Sequence, residues 1–371
     1  MSLTSEIKDL QSPTVLYFRN NFPDKEKFKQ EWKKRVKNLP SILPQDPISS
    51  NHWSLVGHAI DYRIRLFYKK YHTINTVACN GRGAIKRKAR IWESLSELFD
   101  DLSVDIAGKM PSYERERQIA LCCIVLSYYE IQFRAGEPNK LILQANTLED
   151  LFSGIPEIVI DDLIQLFHAF FESDKPSSNN IVLNPTFVGS GDVGGADGDI
   201  IIDHVLWDLK STKNPNQFKN LFWPYQLIGY ALLDYNNRYA LKECGIYLVR
   251  QACWISWSFE ELFALLGSDP EIDISAHRKR FINSLKEPPL SESPPRVPQE
   301  WIASEEKEDL MQQIRDLRTL HGLTLRGMAD RLHVPEKEWK RIFNGNLRSS
   351  SSKTLKEYIE RMKSWSKEGA I

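Results

Sequence analysis

The sequence has no apolar run near the roughly 20 residues that a membrane span needs. Its opening MSLTSEIKDL also lacks the apolar stretch of a signal peptide, so neither membrane insertion nor export is expected. Cysteine is scarce: Cys79, Cys122, Cys123, Cys244 and Cys253 are odd in number and have no framework spacing. That argues against a disulfide-stapled secreted fold and for reduced thiols in a cytoplasm. No nucleotide-binding P-loop is present, which leaves any ATP-driven step to a partner. Neither sign of charge dominates, with 49 Lys and Arg against 49 Asp and Glu. What is present suits a folded chain: 371 residues, 42% hydrophobic and 26% charged, enough for two or three domains.

The neutral total hides an uneven distribution. Residues 1–100 carry 18 basic and 10 acidic side chains, a net of +8, whereas residues 101–200 carry 6 and 16, a net of −10. The last 71 residues are basic again, with 14 against 11. Partners respond to local fields, so neutrality does not exclude a nucleic acid.

The first 175 residues read as a helical region. Segments 24–39, 55–72 and 84–102 place apolar residues three and four apart. RERQIALCCIVLSYYEIQFRAG (115–136) predicts a buried helix closed by Gly136, with Cys122 and Cys123 in its core, and another helix is expected near 157–172. The character changes over 176–285. IVLNPTFVG, DIIID, HVLWDLKST, CGIYLVRQ and ACWISWSF are short, β-branched or aromatic, with one helix, FWPYQLIGYALLDY (222–235), among them. Helices followed by strands with an inserted helix predict an α/β fold. Five prolines in KEPPLSESPPRVPQE (286–300) predict a spacer, and residues 301–371 a separate all-α domain.

The stretch GADGDIIIDHVLWDLKST (195–212) carries the chemistry. Two apolar runs flank Asp203-His204, predicting a hairpin with a two-residue turn. In that register Ile202 faces Val205, Ile201 faces Leu206, Asp199 faces Asp208, and Asp197 faces Lys210. Alternation along strands then puts Asp199, Asp208 and Lys210 on one face. Opposed carboxylates repel, and a hard divalent cation between them, Mg²⁺ or Mn²⁺, reverses the sign. A nearby ammonium suits phosphodiester hydrolysis. An acid-x-Lys triplet alone is common, recurring at Glu6-Lys8, Glu31-Lys33, Glu305-Lys307 and Glu338-Lys340. The strand context and the opposed Asp199 set this one apart.

D-I-I-I, then D-L-K, then a helix with Q-L-I-G-Y resembles the RecB-like branch of the PD-(D/E)xK nuclease superfamily, over roughly residues 180–260. The resemblance implies a restriction-endonuclease-like mixed sheet core. It also implies metal ligands at Asp199 and Asp208, a catalytic lysine at Lys210, and positioning roles for Gln226 and Tyr230. Asp197 ranks second to Asp199. The family's upstream helical motif has its nearest match in Gly57-His58-Ala59-Ile60-Asp61, where Asp61 stands at the usual histidine position. Asp61 is thus a candidate additional metal ligand, unless it simply pairs with Arg65 one turn on. Glu130 is a rival. Some relatives hold an iron–sulfur cluster, but the late cysteine triplet is missing here and no cluster is expected.

GRGAIKRKAR places Arg82, Lys86, Arg87, Lys88 and Arg90 together, either as a solvated helix face or as phosphate contacts. In the tail, LTLRGMADRLHVPEKEWKRIFNGN (323–346) resembles the Cro/λ-repressor (Xre-type) helix-turn-helix. Thr324 would cap the first helix, Ala329 permit close packing, Val334 fill the turn, and Pro335 start the second helix. Lys337, Lys340 and Arg341 would face DNA while Trp339, Ile342 and Phe343 turn inward. These expectations together describe a cytoplasmic, metal-dependent deoxyribonuclease placed on DNA by its tail. The domain combination suggests mobile-element or antiviral defence, with partner proteins of a defence or recombination system. A catalytically inactive DNA-binding regulator and an RNA-cleaving nuclease are the alternatives.

Overall fold

Five strands form one mixed sheet in the order β1-β2-β3-β4-β5, between two groups of helices. The computed structural model describes all residues except 1, 47–48, 83–87, 137, 179, 216–221, 287–309, 311–312, 315–316, 318–324, 333, 335–338, 340–351 and 369–371. The chain divides into two compact units, Met1–Pro289 and Leu290–Ile371. The helical region before residue 176 therefore shares a unit with the strands. Of the expected spacer 286–300, residues 287–300 lie outside the described residues.

In the first unit the helices are α1 (Leu3–Lys8), α2 (Pro13–Asn21), α3 (Lys25–Arg35), α4 (Ser50–Tyr68), α5 (Ala78–Gly81), α6 (Ala89–Leu102) and α7 (Tyr113–Ala135). They continue with α8 (Lys140–Gln144), α9 (Leu148–Ser153) and α10 (Glu157–Glu172). Strands β1 (Ile181–Leu183), β2 (Ile200–Ile202) and β3 (Val205–Lys210) follow, then α11 (Phe222–Leu233), β4 (Glu243–Leu248), β5 (Cys253–Ser258), α12 (Phe259–Leu265) and α13 (Ile274–Lys286). The expected helices form, with α7 ending at Gly136 in the left-handed conformation (φ 69°) that a residue without Cβ adopts freely. Cys122 and Cys123 are fully buried within it. No described helix is long and apolar enough to cross a membrane.

Strands β1, β2 and β3 run antiparallel in succession, β4 lies parallel to β3, and β5 returns antiparallel to β4. A parallel pair needs a crossover, and α11 is that crossover. The two-residue turn at Asp203-His204 forms with φ of 47° and 69°, the left-handed pair that matches the twist of a tight hairpin. Alternation sorts the strand side chains. Ile201, Leu206, Cys244, Ile246, Leu248, Ile255 and Trp257 join one core with α1, α2, α3, α11, α12 and α13. Tyr247 and Val249 join the other, with α4, α6, α7 and α10, and Leu209 and Trp254 pack against it.

Close packing of β4 leaves room only for a glycine at Gly245. A Cβ there would overlap the Trp207 ring and lie 2.7 Å from the Ile255 carbonyl oxygen. Gly245→Ala is expected to cost about 1–3 kcal/mol through overpacking. Urea denaturation checks this, and an unchanged midpoint would contradict it.

The second unit is described more sparsely. Its helices are α14 (Leu325–Leu332) and α15 (Ser352–Glu368). Leu310, Ile314, Met328, Ala329, Leu332, Trp339, Leu355, Ile359 and Met362 form a small core. Ala329 and Trp339 are buried as expected of the inward positions, and Val334 N–H donates to the Ala329 carbonyl at 2.9 Å.

Candidate functional site

The candidate site lies where β3 ends beside α4. In open α/β sheets the carboxyl ends of strands are where ligands bind, because side chains and loops converge there without a ladder to complete. A cavity of about 330 Å³ opens at this point. Its lining includes Asp61 and Arg65 from α4, Asp199 from the start of β2, and Lys210 from the end of β3. Glu130 and Arg134 of α7 line it too.

The hairpin register is the expected one for Ile202–Val205 and Ile201–Leu206, but the paired ladder stops at Ile200–Trp207. Asp199 reaches β3 through its side chain instead: Oδ2 accepts the Leu209 N–H at 2.7 Å. With that donor taken, backbone pairing does not extend further, and the expected pairing of Asp197 with Lys210 does not form. Asp197 forms an isolated bridge with Thr186. It is exposed but still lines the cavity.

Asp208 and Lys210 share a face of β3, as period-two alternation requires. Asp208 is buried (3% exposed) and its Oδ2 lies 2.6 Å from Lys210 Nζ. That contact is a close ion pair. Lys210 Nζ donates to Gln226 Oε1 at 2.9 Å, and Gln226 Nε2 donates to Tyr230 OH at 3.0 Å and to Thr4 Oγ1 at 3.3 Å. Four-residue spacing puts Gln226 and Tyr230 on one face of α11, and that face meets Lys210. Asp208, Gln226 and Tyr230 thus sit behind Lys210, outside the cavity lining.

Asp61 gives both carboxylate oxygens to Arg65. Nε reaches Oδ1 at 2.7 Å and Nη2 bonds Oδ2. The same Nη2 lies 3.5 Å from Asp199 Oδ1, so one guanidinium spans both acids. Glu130, a buried residue of the same lining, accepts from Tyr62 OH at 2.6 Å and Arg134 Nε at 2.7 Å, with His58 Nδ1 at 3.6 Å.

Electrostatics reflect crowded carboxylates. Burial pushes Asp208 up to about 6 from the usual 3.8; Lys210 opposes the rise and Asp199 adds to it. For Asp61 burial also acts upward, against Arg65, with Asp199 and Glu130 adding to the rise. Burial works against the Arg65 charge, but Asp61 and Asp199 more than offset it. Burial lowers His58, against Glu130. Burial alone would raise Glu130, yet His58, Tyr62 and Arg134 bring it below the usual range.

Among the described residues no group of three or more His, Cys, Asp or Glu side chains is arranged to hold a metal ion. The candidate donors Asp199, which lines the cavity, and Asp208, which does not, are both carboxylates and would suit a hard cation over zinc. Asp208 Oδ2 is buried against Lys210 Nζ, so an ion held there would share that oxygen with the ammonium.

The proposed nucleic-acid contacts are mostly beyond description. Lys86, Arg87, Lys337, Lys340 and Arg341 lie outside the described residues, as do Thr324, Pro335, Ile342 and Phe343. Arg82 is exposed, and its Nη1 contacts Cys79 Sγ at 2.8 Å. Sequence reasoning missed Trp53, which lines the cavity with Lys213 Nζ 4.6 Å and Arg250 Cζ 4.2 Å from its ring centre. It also missed Thr4 and Arg134. Trp53 and Thr4 carry no local pattern and meet the site through long-range packing, whereas the i,i+4 spacing of Arg134 from Glu130 was a local signal that could have found it.

Comparisons with models of protein families, with curated proteins and with solved structures found no match to this chain.

Proposed function

We propose that the first unit is a metal-dependent nuclease that hydrolyses DNA phosphodiester bonds, built like the RecB-type PD-(D/E)xK enzymes, and that the second unit binds DNA. One observation carries the reading: at the end of β3 Asp199 accepts the Leu209 N–H while the flanking Asp208 and Lys210 pair, with Gln226 and Tyr230 of the crossover helix linked to the lysine. The strand order, with three antiparallel strands and a parallel fourth reached through α11, supports it.

Asp199 and Asp208 would hold Mg²⁺ or Mn²⁺. When bound, such an ion polarises the phosphate and makes water a stronger acid. Lys210 presents an ammonium that Asp208 and Gln226 keep at the cavity wall, where it stabilises charge growing on a phosphate oxygen. Gln226, held by Tyr230 and Thr4, limits the rotamers of Lys210, which is positioning rather than chemistry. The packing of Ala329, Val334 and Trp339 supports a helix-turn-helix in the tail, and the basic Lys337, Lys340 and Arg341 support DNA as its partner.

One observation favours a second reading, a nuclease-like regulator without catalysis. Arg65 and Lys210 already neutralise the two acids, and among the described residues no third ligand joins them. Incubating the protein with linear, circular and single-stranded DNA and with RNA, in Mg²⁺, Mn²⁺ or EDTA, separates the possibilities. Metal-dependent DNA cleavage is expected, slowed about 100-fold or more by Lys210→Ala. Absence of cleavage, or a Lys210→Ala variant as fast as the parent, would favour the regulator. Cleavage of RNA alone would reassign the substrate.

A further inference from the structure

We infer that Arg65 is a resident cation of the site that contacts the phosphodiester anion, and that Asp61 is its anchor and not a metal ligand. The inference rests on the nuclease reading and adds a residue to it. Both Asp61 oxygens are engaged by Arg65, so a metal at Asp61 would have to use the remaining lone pairs beside the guanidinium charge. Asp199 is differently placed: its Oδ2 is held by the Leu209 N–H, while Oδ1 has only the long 3.5 Å contact to Arg65.

Arg65 itself is built in. Its side chain is 7% exposed and lines the cavity, and Nε and Nη2 carry its contacts. Nη1 has no partner among the described residues, nor is it among their fully enclosed polar atoms without one. A guanidinium fixed on two nitrogens with the third uncommitted is suited to an oxyanion, because its planar fork needs little further ordering. The i,i+4 spacing of Asp61 and Arg65 on α4 sets the fork before any ligand arrives. Arg65 would then supply one positive charge beside Asp199 and Lys210 another beside Asp208.

Titrating Mn²⁺ alone, without nucleic acid, by calorimetry tests the assignment. Asp208→Ala should remove measurable binding. Asp61→Asn should change affinity by less than about threefold, and Arg65→Gln should tighten it, because a competing positive charge is gone. Cleavage kinetics give the second readout. Arg65→Ala should lower kcat about 100-fold or more, with partial recovery in Arg65→Lys, which keeps the charge and guards against a folding defect. If Asp61→Asn weakens Mn²⁺ as much as Asp208→Ala does, Asp61 is a ligand and the inference falls while the nuclease reading stands. If the parent cleaves nucleic acid and Arg65→Ala cleaves as fast, Arg65 is structural and the inference falls. A parent that binds no Mn²⁺ removes both.

Discussion

Replacing Asp208 with Asn is expected to abolish metal-dependent cleavage and yet to make the metal-free protein more stable at pH 7.5. The sign follows from the raised proton affinity of Asp208, about 6 in the folded protein against 3.8 unfolded. A carboxyl raised in this way contributes stability that is fully present below about pH 4 and lost as pH rises through about 6. Above that, the fold holds a carboxylate it would rather hold neutral. An asparagine removes that cost, on the order of 2 kcal/mol, or a Tm higher by about 5 °C. Lys210 is not stranded by the change, because it keeps Gln226 Oε1 at 2.9 Å and its side chain is 19% exposed. Thermal unfolding in EDTA from pH 4 to 8 provides the check. The two proteins should match near pH 4 and separate through pH 6; a variant less stable than the parent at pH 7.5 would show that the ion pair outweighs burial.

The opposite sign is expected at another buried acid. Asp162 of α10 and Arg250, after β4, are both fully buried, joined at 2.9 Å and 2.7 Å by two parallel hydrogen bonds. Arg250 also donates to the Ile42 carbonyl at 3.1 Å and sits against the Trp53 ring. Asp162→Ala leaves a guanidinium in the core without its counter-charge, which costs about 3–5 kcal/mol. In a unit of this size that corresponds to a Tm lower by on the order of 10 °C. Because Arg250 supports Trp53 at the cavity, cleavage should weaken as well. Thermal and urea unfolding measure the first effect. A loss below about 1 kcal/mol would mean that water or a rearranged partner satisfies Arg250.

Neither acid's sequence neighbours, Asp161 and Leu163 for one and Trp207 and Leu209 for the other, give the sign of its effect, which packing decides. Asp208 has the carboxylate of Asp199 near it as well as Lys210, whereas Asp162 meets one arginine almost 90 positions away. The same limit applied to the tight pairing expected for Asp197 and Lys210. Strand alternation predicted it, but an Asp199 oxygen captured the Leu209 N–H and ended the ladder. A side chain competing for a backbone donor leaves no periodic trace.

Much of the frame was local and therefore legible. The periods of 3.6 and 2 placed the helices and strands, Gly136 and Asp203-His204 marked a helix end and a turn, and alternation put Asp208 and Lys210 on one face. Four-residue spacing likewise joined Gln226 to Tyr230 and Asp61 to Arg65. Tertiary structure alone decided which of these faces meet. It set α4 against the end of β3, brought Glu130 and Arg134 to the same cavity, placed Thr4 on Gln226, and merged the helical first 175 residues with the sheet in one unit. The physical reason is that periodicity acts along one element. The charge environment of Asp208, Asp199 and Asp61 is instead a sum over elements distant in sequence and is fixed only when they pack.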